Sequence, residues 1–122
     1  MTWKVRTWTT LAAASGFVSV AAGAFAAHGA GPRAAELLRT GALYGMTHAL
    51  ATLACAALVL NGVRRARVAP ALFLPGILLF SGSLFAMAFG APVLLGAITP
   101  IGGLLFLIGW AALAWASWGI GR

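Results

Sequence analysis

The chain has 122 residues, 62% of them apolar and only 7% charged, with a formal net charge of +7 and an isoelectric point near 11.9. A soluble domain carries about 25% charged residues, so this composition excludes an ordinary water-soluble fold. The basic excess does not indicate nucleic acid as a partner, because Lys and Arg flank apolar runs and form no aromatic-interleaved patch. Membrane topology and contact with anionic lipid are its expected uses.

Four apolar runs follow one another, each near the ~20 residues that a spanning helix needs. The first covers about residues 7–27. Its basic start and the string Ala24-Phe25-Ala26 imitate a signal peptide, but the run is too long for one, so it is expected to be retained as a span. After the break Gly29-Ala30-Gly31-Pro32, the residues Arg33, Glu36, Arg39 and Thr40 alternate with Ala34, Ala35, Leu37 and Leu38. That pattern predicts a short interfacial helix opened by Pro32, in which Glu36 pairs with Arg39 or holds His28 or Arg33.

The second span covers about residues 42–61 and is closed by Gly62, Arg64, Arg65 and Arg67. It carries Tyr44, His48, Thr52 and Cys55 as a polar stripe at near i, i+4 spacing. Cys55 is the only cysteine, so no intramolecular disulfide exists and a small packing residue is the simplest role. The third span covers about residues 69–90 and brings in Ser81 and Ser83. A tight turn through Pro92 then leads to the fourth, about residues 92–118, where Thr99 precedes Pro100. Proline removes a backbone donor, so a kink is expected there. The whole chain, 1–122, thus reads as one all-α integral membrane domain, a four-helix bundle with a short interfacial helix between spans 1 and 2.

Orientation follows the distribution of cations. With an even number of spans the termini share a side; Lys4, Arg6, Arg64, Arg65, Arg67 and Arg122 lie there, against Arg33 and Arg39 opposite. Cytoplasmic termini are therefore expected. Trp3, Trp8, Trp115 and Trp118 then fall at the cytoplasmic interface, where indole rings are favoured.

Lipid provides little hydrophobic drive between helices, so association needs small residues that let backbones approach. They recur in rows: Ser15, Ser19, Gly23 and Ala27; Gly41, Gly45 and Ala49; Gly82, Ala86 and Gly90; and Gly96, Gly102, Gly103 and Gly109 on the fourth span. Ser19, Gly23, Gly41, Gly45, Gly82, Gly96, Pro100 and Gly103 are the expected packing positions.

The few polar groups map mainly to the half of the bundle away from the termini. His28, Tyr44, His48, Ser81, Ser83 and Thr99 form the candidate polar cluster, with Glu36 and Arg39 as a lid. Two roles are open to it: a functional pocket, because an ionisable residue within a span is a functional candidate, or internal hydrogen bonding that holds the helices together.

The strings GAFAAHG (Gly23–Gly29), YGMTHAL (Tyr44–Leu50), FLPGILLFSGSL (Phe73–Leu84) and LGAITPIGGLLFLIGW (Leu95–Trp110) closely resemble the YgdD-like (DUF 423) family. These are small bacterial inner-membrane proteins of uncharacterised function. Gly45 and Thr47 depart from the family pattern, which often has Gln and Tyr there. The resemblance covers essentially the whole chain and implies a four-helix, multi-pass fold in the bacterial inner (plasma) membrane. It also implies that both histidines, Tyr44, Ser81, Ser83, Thr99 and Pro100 occupy motif positions.

No complete set of nucleophile, base and orienting group is visible, so no catalytic residue and no enzyme activity are expected. Neither CxxC nor HExxH spacing occurs, and no metal site or cofactor is expected. The leading expectation is an accessory, assembly or scaffold subunit in the lipid bilayer, packing against itself as a homo-oligomer or against a membrane-protein partner in a larger complex, a respiratory one among the options. Two alternatives compete: a small transporter or channel using the polar cluster, and a haem or metal centre held by His28 and His48.

Overall fold

The computed structural model describes residues 4–121, and its described residues contain helices and turns without strands. Helix α1 runs Val5–His28, α2 Pro32–Leu60, α3 Val68–Ala88 and α4 Thr99–Trp118, with 3₁₀ turns at Arg64–Arg67 and Val93–Ala97. Each helix is long and apolar enough to cross a membrane, α3 and α4 each together with the turn before it. Phe17, Leu78, Leu94 and Leu107 stand largely exposed around the outside. Such a belt suits hydrocarbon rather than water.

Three sequence expectations need correction. The segment from Pro32 to Leu43 is not a separate interfacial helix but the first three turns of α2, which continues unbroken for 29 residues. Pro32 opens that helix, and Thr40-Gly41 does not interrupt it, because one glycine costs a helix only about 1 kcal/mol. Pro100 does not kink a fourth span that began at Pro92: it lies in the first turn of α4, where its missing N–H would be unbonded anyway. The 3₁₀ turn Val93–Ala97 fills the space before it. Trp8 is fully buried rather than set in an interfacial belt. It shares the buried face of α1 with Ala12, Ser19 and Ala26, and the Arg67 guanidinium lies 5.7 Å from its ring centre. Trp115 and Trp118 are exposed, whereas Trp3 and Arg122 lie outside the described residues.

The helices pack in chain order, α1 on α2, α2 on α3 and α3 on α4, with a lighter contact between α1 and α3. Thus α2 and α3 form the centre, and α1 and α4 flank them. Two connections, around Gly29–Gly31 and Phe89–Ile98, lie at one end, here the hairpin end. The turn 61–67, the start of α1 and the end of α4 lie at the other, the basic end. Gly62 (φ 94°) and Gly90 (φ 101°) take the left-handed conformation that stops α2 and α3.

The small residues act in two ways. At Gly76 and Gly102 the backbones of α3 and α4 come close: a Cβ on Gly102 would lie 2.9 Å from the Gly76 carbonyl, and one on Gly76 would lie 3.2 Å from that of Gly102. Elsewhere glycine makes room for a ring. A Cβ at Gly41 would meet Phe85 at 2.5 Å, at Gly76 Phe106 at 2.6 Å, and at Gly109 Phe73 at 2.5 Å. Gly45 instead faces two hydroxyls, with Ser19 Oγ 2.5 Å and Ser81 Oγ 3.2 Å from such a Cβ. Gly23, Gly82, Gly96 and Gly103 meet nothing closer than 3.8 Å, so close approach does not depend on them.

Candidate functional site

The polar stripe on α2 turns inward at His48. One turn separates each of Tyr44, His48 and Thr52, so a helix that buries His48 also buries Thr52 and, nearly one turn on, Cys55; all three are shielded while Tyr44 stays 42% exposed at the rim. Thr52 donates its hydroxyl to the His48 carbonyl at 2.8 Å. The His48 ring is only 3% exposed, and both its nitrogens are bonded. Nδ1 lies 2.7 Å from the Tyr44 carbonyl, an acceptor, so Nδ1 carries the proton and donates. The indole N–H of Trp110 donates to Nε2 at 3.0 Å. The two bonds together assign the neutral Nδ1–H tautomer.

Aromatic rings close the box. Phe106 stacks on His48 with centroids 3.5 Å apart and planes 8° from parallel. Phe73 meets the imidazole edge-on at 5.3 Å, and Trp110 does so at 5.8 Å. Tyr44 packs on Phe80 at 4.7 Å. The glycines described above explain the arrangement, because Gly76 clears the space for Phe106 and Gly109 that for Phe73. A groove of about 770 Å³ between α2 and α4 opens onto the box, lined by Tyr44, Thr47, His48, Phe80, Phe106 and Trp110 among others.

Two further polar junctions stand apart from this one. Ser81 of α3 donates to the Gly41 carbonyl of α2 at 2.7 Å, next to Ser19 and Gly45 where α1, α2 and α3 meet. Ser83 donates to the Phe80 carbonyl at 2.9 Å, so the Thr99 hydroxyl donates to Ser83 and ties the start of α4 to α3.

With this geometry in view, the comparisons with known proteins are specific. The family described as "Protein of unknown function (DUF423)" matches residues 22–103. This chain belongs to that family. A UPF0382 membrane protein of Haemophilus influenzae is 50% identical over 114 residues, spanning 90% of this chain and 92% of the relative. The UPF0382 membrane protein YwdK of Bacillus subtilis is 35% identical over 119 residues, covering 93% and 97%. The UPF0382 inner membrane protein YgdD of Escherichia coli is 39% identical over 107 residues, covering 84% and 82%. No solved structure matches. This DUF423 protein is therefore a multi-pass protein of the bacterial inner membrane.

The eight residues of the expected polar cluster do not form one site. His48 and Tyr44 belong to the aromatic box, Ser81 to the α1–α2–α3 junction, and Ser83 and Thr99 to the α3–α4 junction. His28, Glu36 and Arg39 are exposed at the hairpin end, and among the described residues Glu36 forms an ion pair with none of Arg33, Arg39 or His28. The depth of His48 is also revised. Because α2 starts at Pro32, His48 lies 16 residues along it, about 24 Å from the hairpin end at 1.5 Å per residue, near mid-helix. His28 ends α1 at that far end, so the two histidines cannot share a haem or metal. Among the described residues no group of three His, Cys, Asp or Glu side chains is placed to hold a metal. Sequence reasoning missed Trp110, Phe106 and Phe73, the partners of His48. Their signals were membership of the strings Phe73–Leu84 and Leu95–Trp110 and the ring-seating glycines Gly76 and Gly109.

Proposed function

We propose that this DUF423 protein is a non-enzymatic accessory, assembly or scaffold subunit, inserted with both termini in the cytoplasm, that acts by packing its helix faces against a membrane-protein partner or a second copy of itself. The carrying observation is that most polar side chains inside the spans are already used within the fold, although among the described residues the hydroxyls of Ser19 and Tyr44 form no hydrogen bond. His48 has both nitrogens bonded, Ser81 and Ser83 hold neighbouring helices, and Thr47 and Thr52 return to their own helix. Transport through His48, or axial ligation by it, requires the Nε2 lone pair that Trp110 occupies. What the bundle offers outward is shape: the α2–α4 groove and, on the opposite flank, an apolar groove of about 530 Å³ between α1 and α3. The cytoplasmic placement of the termini rests on Lys4, Arg6, Arg64, Arg65 and Arg67 gathering at the basic end.

Purification from native membranes in mild detergent tests the proposal. A species heavier than one chain is expected, containing a second copy or a defined membrane protein. Exclusive recovery of a lone monomer would count against it.

A further inference from the structure

The basic end holds the Arg64 and Arg65 guanidinium groups, and among the described residues neither forms an ion pair. Glu36, the only Asp or Glu in the chain, lies in the second turn of α2, at the opposite end of the bundle. Arg64, Arg65 and Arg67 sit on one four-residue 3₁₀ turn, whose ~2.0 Å rise per residue keeps like charges close together. Aromatic rings orient two of them. The Arg65 guanidinium lies 4.5 Å from the Trp115 ring centre and donates to the Trp115 carbonyl at 3.5 Å, while Arg67 faces Trp8. Ring contact fixes a guanidinium without neutralising its charge. Arg64 is exposed and makes no side-chain hydrogen bond or ion pair among the described residues.

Beside this turn lies an open surface pocket of about 460 Å³, lined by Asn61, Arg64 and Arg65 on one side and by Gly119, Ile120 and Gly121 past the end of α4 on the other. Its lining is about equally polar and apolar. Ile120 in its lining is exposed, as is Trp118 at the end of α4, residue types that suit the boundary between headgroups and hydrocarbon.

We propose that this pocket binds the phosphate diester of an anionic phospholipid, gripped by Arg64 and Arg65. A planar guanidinium held against a ring presents two parallel N–H groups, the geometry that suits phosphate oxygens. A basic pocket between helix ends is a recurrent form of headgroup site. The lipid is favoured over free phosphate by the exposed apolar flank, along which the glycerol and acyl chains lie.

The test uses the full chain in mild detergent, titrated with phosphatidylglycerol, phosphatidylcholine or inorganic phosphate and followed by native mass spectrometry and thermal unfolding. Phosphatidylglycerol should be retained and should raise the unfolding midpoint. Arg64→Gln should weaken that binding about fivefold, the effect of removing one basic residue near a headgroup, and Arg65→Lys should weaken it although charge is kept. Arg6→Gln, at the same end but outside the pocket, should stay within about twofold of wild type. Arg64 has no partner to lose, so its variant reports binding even if Arg65→Lys fails to fold. Equal retention of phosphatidylcholine would overturn the proposal. So would equal stabilisation by inorganic phosphate, which marks a bare anion site, or equal losses for Arg6→Gln and Arg64→Gln, which mark diffuse surface charge.

Discussion

The hydrogen bond between Trp110 and His48 joins α4 to α2, helices whose backbones stay apart and which meet here through side chains, and it offers a quantitative test of the box. In Trp110→Phe an aromatic ring still fills the place beside Phe73, whose centroid lies 5.1 Å from that of the indole, but Nε2 loses its only donor. Interhelical hydrogen bonds in membrane proteins average about 0.6 kcal/mol and reach about 1.7. A buried acceptor left unpaired adds a further penalty of about 1–3 kcal/mol, reduced where lipid-embedded unfolded chains find other partners. Trp110→Phe should therefore cost about 1–2 kcal/mol. His48→Phe keeps a ring stacked on Phe106 but removes the same bond and the one to Tyr44. In a double-mutant cycle, unfolded by SDS in mixed micelles, the pair should couple by about 0.6–1.5 kcal/mol. Additive effects, within about 0.3 kcal/mol, would refute the closed box as drawn.

Three further outcomes follow from the packing. Gly102→Ala should destabilise by about 1–3 kcal/mol, because its Cβ would lie 2.8 Å from Phe80 Cβ, whereas Gly103→Ala, with 3.8 Å to the nearest neighbour, should stay within about 0.5 kcal/mol; SDS titration separates the two. Ser81→Ala should cost about 0.6–1 kcal/mol by the same assay through loss of the bond to the Gly41 carbonyl. Cys55, fully buried, should resist a membrane-permeant maleimide in native membranes and label after SDS denaturation; rapid native labelling would contradict its place in the core.

Much of the fold was legible because hydrocarbon imposes few solutions: long apolar runs must be helices, and their number and order follow from composition alone. Boundaries were less legible, since hydropathy marks where lipid begins and not where a helix does. The charged turns Pro32–Thr40 belong to α2 although they are too polar to read as a span. Pro100 was read as a kink because the 3₁₀ turn before it is as apolar as the helix it opens. The site was legible only in part. His48 announced itself as an ionisable group within a span, but Trp110, 62 residues away in sequence, is brought to it by the α3–α4 crossing at Gly76 and Gly102. A period in the sequence places residues on a face; it does not say which face meets which ring. The rows of small residues were read as backbone contacts, and two of them, Gly41 and Gly109, are seats for aromatic rings, a distinction that depends on partners from other helices.

The central claim is that this protein works through its outer faces, and photo-crosslinking in intact cells tests it most directly. A photoreactive amino acid placed at Leu74 and at Leu78, both lining the α1–α3 groove, or at Leu104 and Leu107, both lining the α2–α4 groove, reports what covers each face. Both positions of at least one pair should capture the same protein, either a second copy of this chain or one defined membrane subunit. Adducts with lipid alone at all four positions would contradict it.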